Sequence, residues 1–411
     1  MLINIKKNIL TISAALCLIS NAAFAFVGVY ITKDGSNVIS SQSKVVIAHK
    51  DQKTILTVTS NFDTSATNFA LVIPVPSTVK TANIRYVDYE TLNKLYNYTS
   101  PRLIEYIDYD PCNPESLKRP PIVTTQSFTT IDMDKAIALE TDSPQIISPS
   151  NVIILTSKES IGIDITLKKY GYNVPQNYLD VLKEYHEKQM KFIIIEVIKD
   201  NNNLATWLQP IQIEYESNQL SLPVNIGSLN APENQKHDML LFTLSNQGEM
   251  LTTNYETKNM PGNLDLPVTS INEFTKFYDE FMNKIFKVHP NIIRKEYSWP
   301  MGACKPCTSA PLSIDELSTL GTFWYHLPKE GRMGLVAPFS AIYVTRLHTQ
   351  YAYNTFKNDL TLEEDNERKK YQTYFNIKHP IPADQSKCGN KYTIELKKAQ
   401  EQQNKNLQLS Q

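Results

Sequence analysis

The sequence predicts an α+β fold in which mixed or antiparallel sheets are flanked by helices and form two closely packed lobes. Early in the chain, β-branched runs alternate with turn-like segments, as short strands require. Two later segments, 177–190 and 271–287, carry apolar residues at helical spacing. Strands and helices come in clusters, which is typical of α+β proteins and not of a doubly wound parallel sheet.

The N-terminal third contains three predicted strands and a helix. The β-branched runs predict strands at 45–48, 54–59 and 69–75. The run at 54–59 alternates and suits a half-buried antiparallel strand, whereas the run at 69–75 is continuously apolar and suits a central one. Residues 88–98 predict a helix with Asp88 as its N-cap. The Pro-, Ser- and Thr-rich stretch 110–150 predicts a long connecting loop.

The remainder of the chain mixes both kinds of element. Segments 177–190 and 271–287 predict amphipathic helices, and a short helix is expected near 313–320. Apolar runs predict strands at 192–198, 208–215, 222–226, 239–244 and 341–347.

The first 25 residues predict a signal peptide. Lys6 and Lys7 form a basic start, an apolar run extends from Ile9 to Ile19, and Ala23-Phe24-Ala25 is a small-residue cleavage site. The apolar run is well short of the ~20 residues that cross a bilayer. We therefore expect export, to the periplasm by default or to the medium as the alternative.

Composition bounds the mature chain. Removal of 25 of the 411 residues leaves 386 and takes the net charge from −1 to −3. Lys+Arg at 41 nearly balance Asp+Glu at 42, so no nucleic-acid partner is predicted. No later apolar run reaches 18 residues, so we expect no integral membrane segment.

We expect a single unit at 26–390, with lobes at 26–150 and 151–390, and a flexible polar tail at 391–411.

Four cysteines remain after export: Cys112, Cys304, Cys307 and Cys388. An even number in an oxidising compartment favours two disulfides, with three connectivities left open. The pair Cys304 and Cys307 could also be a redox dithiol or half of a zinc site. The sequence around the pair reads as loop and a second zinc-binding pair is missing, so a structural disulfide is favoured, with no metal and no cofactor.

Arg346 and His348 are the candidate ligand-pocket residues. Alternation on the predicted strand places them on one face with Ile342 and Val344. Two cationic or titratable groups on an apolar face could line a pocket for an acidic ligand. The alternative is that they lie at the rim of a sheet and pair with carboxylates.

Common catalytic signatures are missing from the sequence. It contains no G-x-S-x-G elbow, phosphate-binding loop or dinucleotide-binding glycine motif. His186-Glu187 begins a zinc-protease pattern, but Met190 stands where the second histidine would be needed.

Several segments in order carry a resemblance to a known family. They are Gly28-Val29-Tyr30, FALVIPVP at 69–76, SPRLIEYIDYDPC at 100–112, LQPIQIEYES at 208–217, LPVNIGSLNA at 222–231, TTNYET at 252–257, EYSWPMGACKPC at 296–307, PLSIDEL at 311–317 and VTRLHTQY at 344–351. Across nearly the whole mature chain, the sequence resembles the bacterial family catalogued as domain of unknown function 2330. The resemblance implies a secreted or envelope protein forming one family-length unit, and brings no activity or cofactor with it.

These observations favour an exported, non-enzymatic envelope protein that binds a macromolecule or a cell-surface component. The alternative is a thiol-redox or metal-dependent enzyme that uses Cys304 and Cys307. A ligand pocket around Arg346 and His348 is a further alternative.

Overall fold

The computed structural model describes residues 27–107, 124–127, 146–155, 159–160, 162–199, 206–231, 236–290, 292–304, 307, 309–325, 338–352 and 358–379.

Strands outnumber helices along the described residues. In chain order, the strands are β1 Val29–Thr32, β2 Gln42–Lys50, β3 Lys53–Ser60, β4 Asn68–Val75, β5 Ile84–Tyr86, β6 Arg102–Ile107, β7 Thr124–Ser127, β8 Ile146–Ile147, β9 Asn151–Ile154, β10 Lys191–Ile198, β11 Trp207–Leu208, β12 Ile211–Glu216, β13 Leu220–Leu222, β14 His237–Ser245, β15 Glu249–Thr252, β16 Thr257–Asn259, β17 Leu264–Leu266, β18 Ile293–Pro300, β19 Tyr343–Tyr351, β20 Leu360–Asp365, β21 Tyr371–Gln372 and β22 Tyr374–His379. The α-helices are α1 Tyr89–Thr99, α2 Ile163–Lys169, α3 Gln176–Glu187, α4 Val224–Gly227, α5 Phe274–Val288 and α6 Ile314–Leu317.

Two sheets face each other across the main core. The larger has nine strands in the order β16-β18-β19-β14-β2-β3-β12-β5, with β21 beside β18, and the smaller has the order β1-β4-β10-β9. The larger sheet is mixed, because β14 runs parallel to β2 while β19 and β3 pair antiparallel with these two strands. Apolar side chains of both sheets, among them Ile47, Leu71 and Ile193, form one buried cluster. The α+β class with mixed and antiparallel sheets is confirmed.

Helices cover the outer face of each sheet. Leu95 of α1 and Leu317 of α6 pack on Phe242 of the larger sheet. Leu182 of α3 packs with Ile194 of the smaller sheet. The predicted flanking helices are thus present, and the molecule stacks in four layers, helix, sheet, sheet and helix.

A glycine sets the close approach of the layer that contains α6. Gly321, just after this helix, has φ +110°, a left-handed conformation that favours glycine. A Cβ atom here would lie 2.7 Å from Cγ2 of Ile55 on β3 and 3.2 Å from Cβ of Ala48 on β2. The absence of a side chain lets this turn sit directly on the sheet.

A further sheet, in the order β17-β22-β6-β7, is covered by α5. The apolar face of the amphipathic helix predicted at 271–287 packs here, with Phe274 5.6 Å and Tyr278 6.0 Å from Phe375 between ring centroids. Helix α5 therefore joins this sheet to the edge of the larger one, where the candidate site lies.

Several local predictions are confirmed. Helix α1 begins after Asp88, whose side chain accepts a hydrogen bond of 3.1 Å from the backbone of Glu90. Strand β4 lies between two neighbours, as a continuously apolar run predicts.

The two main sheets each combine strands from both sides of residue 150. Strand β2 lies beside β14 in the larger sheet, and β4 lies beside β10 in the smaller one.

Other local predictions are wrong. Strand β3 is antiparallel but buried on both faces, because a sheet covers one face and a helical layer covers the other. The strand predicted at 222–226 is a strand end followed by α4, with Pro223 between them. The predicted loop at 110–150 contains β7 and β8, and its other residues lie largely outside the described part of the chain. Residues 298–300, which read as loop, belong to β18.

Candidate functional site

The candidate site begins with two cationic side chains on strand β19. Arg346 and His348 lie on the face that α1 covers, as their alternation predicts, and are each 2% exposed. The neighbouring strand β14 adds Asp238, which lies opposite Gln350 in the register. Charged groups are therefore gathered near the β16 edge of the larger sheet, with Arg346 and His348 buried and Asp238 partly exposed.

A β-bulge in strand β18 supplies the central carboxylate. The register with β19 shifts between Lys295 and Tyr297, so that Glu296 is the extra residue. A bulge turns two consecutive side chains towards the same side of a sheet. Glu296 is fully buried and contacts both Arg346 and His348.

Arg346 is held by an ion pair, a helix end and two rings. Its Nε lies 2.6 Å from Oε2 of Glu296. Its Nη1 donates to the carbonyl of Tyr96 and to Oγ of Ser100 near the end of α1, each at 3.0 Å. The guanidinium lies 4.6 Å from the ring centroid of Tyr96 and 5.6 Å from that of Phe242. A cation here also suits the negative end of the helix dipole.

His348 contacts a carboxylate with each ring nitrogen. Nδ1 lies 2.6 Å from Oε1 of Glu296, and Nε2 lies 2.6 Å from Oδ1 of Asp238. A neutral imidazole has only one N–H, so two contacts with ionised carboxylates require the doubly protonated ring. Burial alone would lower the pKa of His348, but the charges of Asp238 and Glu296 outweigh burial and raise it to about 10.

The carboxylates are correspondingly stabilised as anions. Burial would raise the pKa of Glu296, but His348 and Arg346 lower it to about 2. Burial would also raise the pKa of Asp238, but the charge of His348 outweighs burial and lowers it. Two cations and two anions therefore balance inside the protein, as buried charges require.

Helix α5 closes the network from the side. The Tyr278 hydroxyl donates a hydrogen bond to Glu296, and the ring of Phe286 packs edge-on against His348 at 5.8 Å. Asp279, on the same helix, has a pKa raised to about 6 by burial and by the charge of Asp238. Gln350 donates to the second oxygen of Asp238 at 2.9 Å.

A second buried arginine lies at the same end of α1. Arg102 is fully buried, and its two terminal nitrogens donate to the carbonyls of Ser100 at 2.5 Å and Tyr98 at 2.6 Å. Burial lowers the pKa of Arg102 to about 10, against the opposing effects of Tyr297 and Tyr98. Arg102 and Arg346 together satisfy carbonyls that a helix end leaves without partners.

The cysteine pair lies beyond the end of β18. Cys304 and Cys307 form a disulfide with Cα atoms 5.0 Å apart. Cys304 is half-buried against the helical layer, and Cys307 is exposed. Cys112 and Cys388, the other two disulfide candidates, lie outside the described residues.

The structure thus joins Arg346 to His348 through a shared carboxylate and joins Cys304 to Cys307. Three further residues of this region, Glu296, Asp238 and Arg102, were not predicted from the sequence. Arg102 and Asp238 are charged residues at the start of apolar runs, and Glu296 ends the charged run Arg294-Lys295-Glu296. These were the available signals. Whether Arg346 and His348 also bind a ligand stays a prediction.

The described residues contain no metal-type cluster and no membrane-spanning helix. No group of three or more His, Cys, Asp or Glu side chains is placed there to hold a metal ion. Within the same part of the chain, no helix has the length and apolar character that a bilayer crossing requires.

Comparison with known proteins identifies a family but no activity. The family model described as "Uncharacterized protein conserved in bacteria (DUF2330)" matches residues 21–363. None of the curated proteins matches the sequence. Among solved structures, baculovirus P35 is similar at a TM-score of 0.27 and 10% identity, over 54% of this chain and 76% of that one. A TM-score this low carries no argument about fold or function.

Proposed function

The chain belongs to the DUF2330 family of bacterial proteins, and we propose that it is exported to the cell envelope as a non-enzymatic binding or structural protein. One observation carries the proposal. Arg346, His348 and Glu296 are buried and pair with one another. The contacts of these three residues hold α1 and α5 to the sheet. A catalytic acid or base would instead need to be accessible to its substrate.

Two features support export. Residues 1–25 have the pattern of a signal peptide, with a basic start, a short apolar run and a small-residue cleavage site. The disulfide between Cys304 and Cys307 is of a kind that persists in oxidising compartments. The periplasm is the proposed location, with release to the medium as the alternative.

Export can be tested by expression of the full chain in a Gram-negative host. We expect the protein in the envelope fraction, with Phe26 as its N-terminal residue. In the matched control, Ala23→Leu/Ala25→Leu, the cleavage site is blocked and the precursor should accumulate. An uncleaved wild-type chain in the cytosol would overturn the proposal.

An exposed aromatic edge supports the binding of a macromolecule. Tyr86, on edge strand β5, is 47% exposed, and Phe323 beside this edge is 42% exposed. The guanidinium of Arg85 lies 5.0 Å from the ring centroid of Phe323. Aromatic residues and arginine are enriched at protein interfaces.

Photo-crosslinking in the native envelope tests this edge. A photoreactive residue replaces Tyr86 or Phe323, and the control replaces Ile165 on α2, which is 70% exposed. We expect a discrete macromolecular adduct from the first two positions and none from Ile165. Equal labelling at the three positions, or no adduct at any of them, would contradict binding at this edge.

A further inference from the structure

The two sulfur atoms of the Cys304–Cys307 disulfide lie in different environments. Cys304 packs against the buried cluster formed by the larger sheet and α1, whereas Cys307 is exposed. A thiolate that attacks a disulfide must reach one sulfur and expel the other. Access therefore favours attack at Cys307, with Cys304 as the leaving group.

A buried tyrosine is positioned to stabilise that leaving group. The backbone N–H of Gly302 donates to the Tyr98 hydroxyl oxygen at 2.7 Å, and the same hydroxyl lies 3.3 Å from Sγ of Cys304. A disulfide sulfur carries no hydrogen, so the tyrosine must be the donor in this contact. When Cys304 becomes a thiolate, the hydrogen bond acquires a charged acceptor and strengthens.

The surroundings of Tyr98 fix the position of this hydroxyl. Tyr98 is fully buried in α1, and its ring packs edge-on against Tyr297 at 6.0 Å. Its carbonyl accepts a hydrogen bond of 2.6 Å from Arg102. The donor is therefore in place before any reaction and needs no rearrangement.

We propose that the Cys304–Cys307 disulfide is a thiol-exchange site that accepts two electrons from a dithiol, with attack at Cys307 and with Tyr98 as the positioning residue for the leaving Cys304 thiolate. The proposal rests on the proposed export, which brings the chain into an oxidising compartment, and it describes a reducible site and not a turnover enzyme.

The exchange balances in two steps. A thiolate of the dithiol bonds to Sγ of Cys307, the Cys304–Cys307 bond breaks, and Cys304 leaves as a thiolate next to the Tyr98 hydroxyl. The second thiolate of the dithiol then attacks the sulfur that is bonded to Cys307, closes its own disulfide and releases Cys307 as a thiolate. The dithiol is oxidised by two electrons, the protein is reduced by two, and the new thiolates take up protons according to their pKa values.

The site of attack can be read directly from the purified exported chain. Brief exposure to reduced glutathione, acid quenching and peptide mass spectrometry locate the mixed disulfide. We expect it on Cys307. A mixed disulfide on Cys304, or an equal distribution between the two residues, would overturn the proposal.

The role of Tyr98 is tested by the rate of reduction with excess dithiothreitol. Tyr98→Phe should slow the reaction roughly tenfold, the rate equivalent of one lost hydrogen bond to a charged group. The matched control is Tyr325→Phe, which removes another buried hydroxyl of the same layer, bonded to the carbonyls of His49 and Leu244. It should leave the rate unchanged. Equal rates for wild type and Tyr98→Phe would overturn the proposal.

A second readout separates a chemical role of Tyr98 from a structural one. In the reduced protein, ultraviolet absorbance of the thiolate follows the titration of Cys304 in a Cys307→Ser background. We expect the Cys304 pKa to rise when Tyr98 is replaced by Phe and to stay constant with Tyr325→Phe. All of these measurements use purified protein, so their failure would leave the export test standing, and a failed export test would leave the exchange chemistry measurable.

Discussion

Strand β18 connects two regions that differ in the solvent exposure of their reactive side chains. In the strand, Glu296 is fully buried and shares its two oxygens between Arg346 and His348. Beyond the strand, Cys307 of the disulfide is exposed and only Cys304 is held by the interior. The pKa values of Glu296 and His348 are shifted because opposite charges lie beside each group, and these buried interactions stabilise the fold. Cys307 is accessible to an attacking thiolate, so the single hydrogen bond from Tyr98 to Cys304 can influence the rate of thiol exchange.

Removal of the shared carboxylate should produce the largest effect. Glu296→Gln keeps the shape of the side chain but leaves two buried cations without their common anion. Breaking a buried ion pair typically costs 3–5 kcal/mol, and we expect about that loss of unfolding free energy. Urea denaturation measures it. Glu280→Gln, an exposed change on α5, should leave the midpoint unchanged, and an equal effect of the two variants would show that Glu296 is not central.

The pH dependence of the network should be carried largely by His348. Its pKa is raised in the folded protein to about 10, so its stabilisation is complete below the unfolded value near 6.5 and is lost as the pH rises towards 10. Glu296, with a lowered pKa of about 2, adds a second loss between about pH 4.5 and 2. We expect a stability advantage of wild type over His348→Gln between pH 4.5 and 6.5, a range in which Asp279 also titrates. Above that range it should shrink by at most ~1.4 kcal/mol per pH unit.

The matched control for this titration is His289→Gln, which replaces an exposed histidine just after α5. Its stability should follow that of wild type at every pH. Urea midpoints collected from pH 4.5 to 10 make the comparison. An advantage of wild type over His348→Gln that does not change with pH would contradict the doubly protonated ring.

Loss of the disulfide should cost less than loss of Glu296. The bond closes a loop of only four residues, for which the chain-entropy relation gives about 2 kcal/mol. Cys304→Ser/Cys307→Ser should lower the unfolding free energy by that amount, as measured by urea denaturation without reductant. Wild type in excess dithiothreitol should behave like the double variant. A loss larger than that of Glu296→Gln would show that the disulfide is the more structural of the two regions.

The sequence predicted the sheet and helix content well where a period was long and regular. Helix α5 buries four residues at helical spacing, Phe274, Tyr278, Met282 and Phe286. Strand β19 places Arg346 and His348 on one face, as alternation requires. A register shift between two strands, in contrast, leaves no periodic pattern in the sequence. The bulge at Glu296 depends on how two distant strands pair, so no local pattern indicates that this residue meets Arg346.

Other parts of the site were missed for local reasons. Asp238 lies one residue before the apolar run that predicts β14, and charged residues at strand ends usually face solvent. No strand is predicted at 293–300, and residues 298–302 are interpreted as loop, although residues 293–300 form β18. The disulfide itself was among the predicted alternatives, but the contact between Cys304 and Tyr98 spans 206 residues of sequence. Only the three-dimensional structure brings these two residues together.

The smallest effect on the free energy of unfolding should come from an ion pair that is neither buried nor part of a reactive site. Nζ of Lys94 on α1 lies 2.8 Å from Oε1 of Glu316 on α6, with side chains 37% and 30% exposed. Glu316 also accepts a hydrogen bond from the backbone of Ser313, a capping role that glutamine can retain. A double-mutant cycle with Lys94→Met and Glu316→Gln should therefore isolate the ion pair. We expect a coupling of about 0.5 kcal/mol, typical of exposed pairs.

Salt provides the decisive contrast between this exposed pair and the buried network. At 1 M salt the screening length falls to about 3 Å, so the coupling of Lys94 with Glu316 should largely disappear. The loss caused by Glu296→Gln should change little, because ions cannot enter the space between Glu296, Arg346 and His348. Equal salt sensitivity of the two effects would mean that water reaches the network. The charges of Glu296 and Asp238 would then be screened, and they could not hold the proton of His348 far above neutral pH.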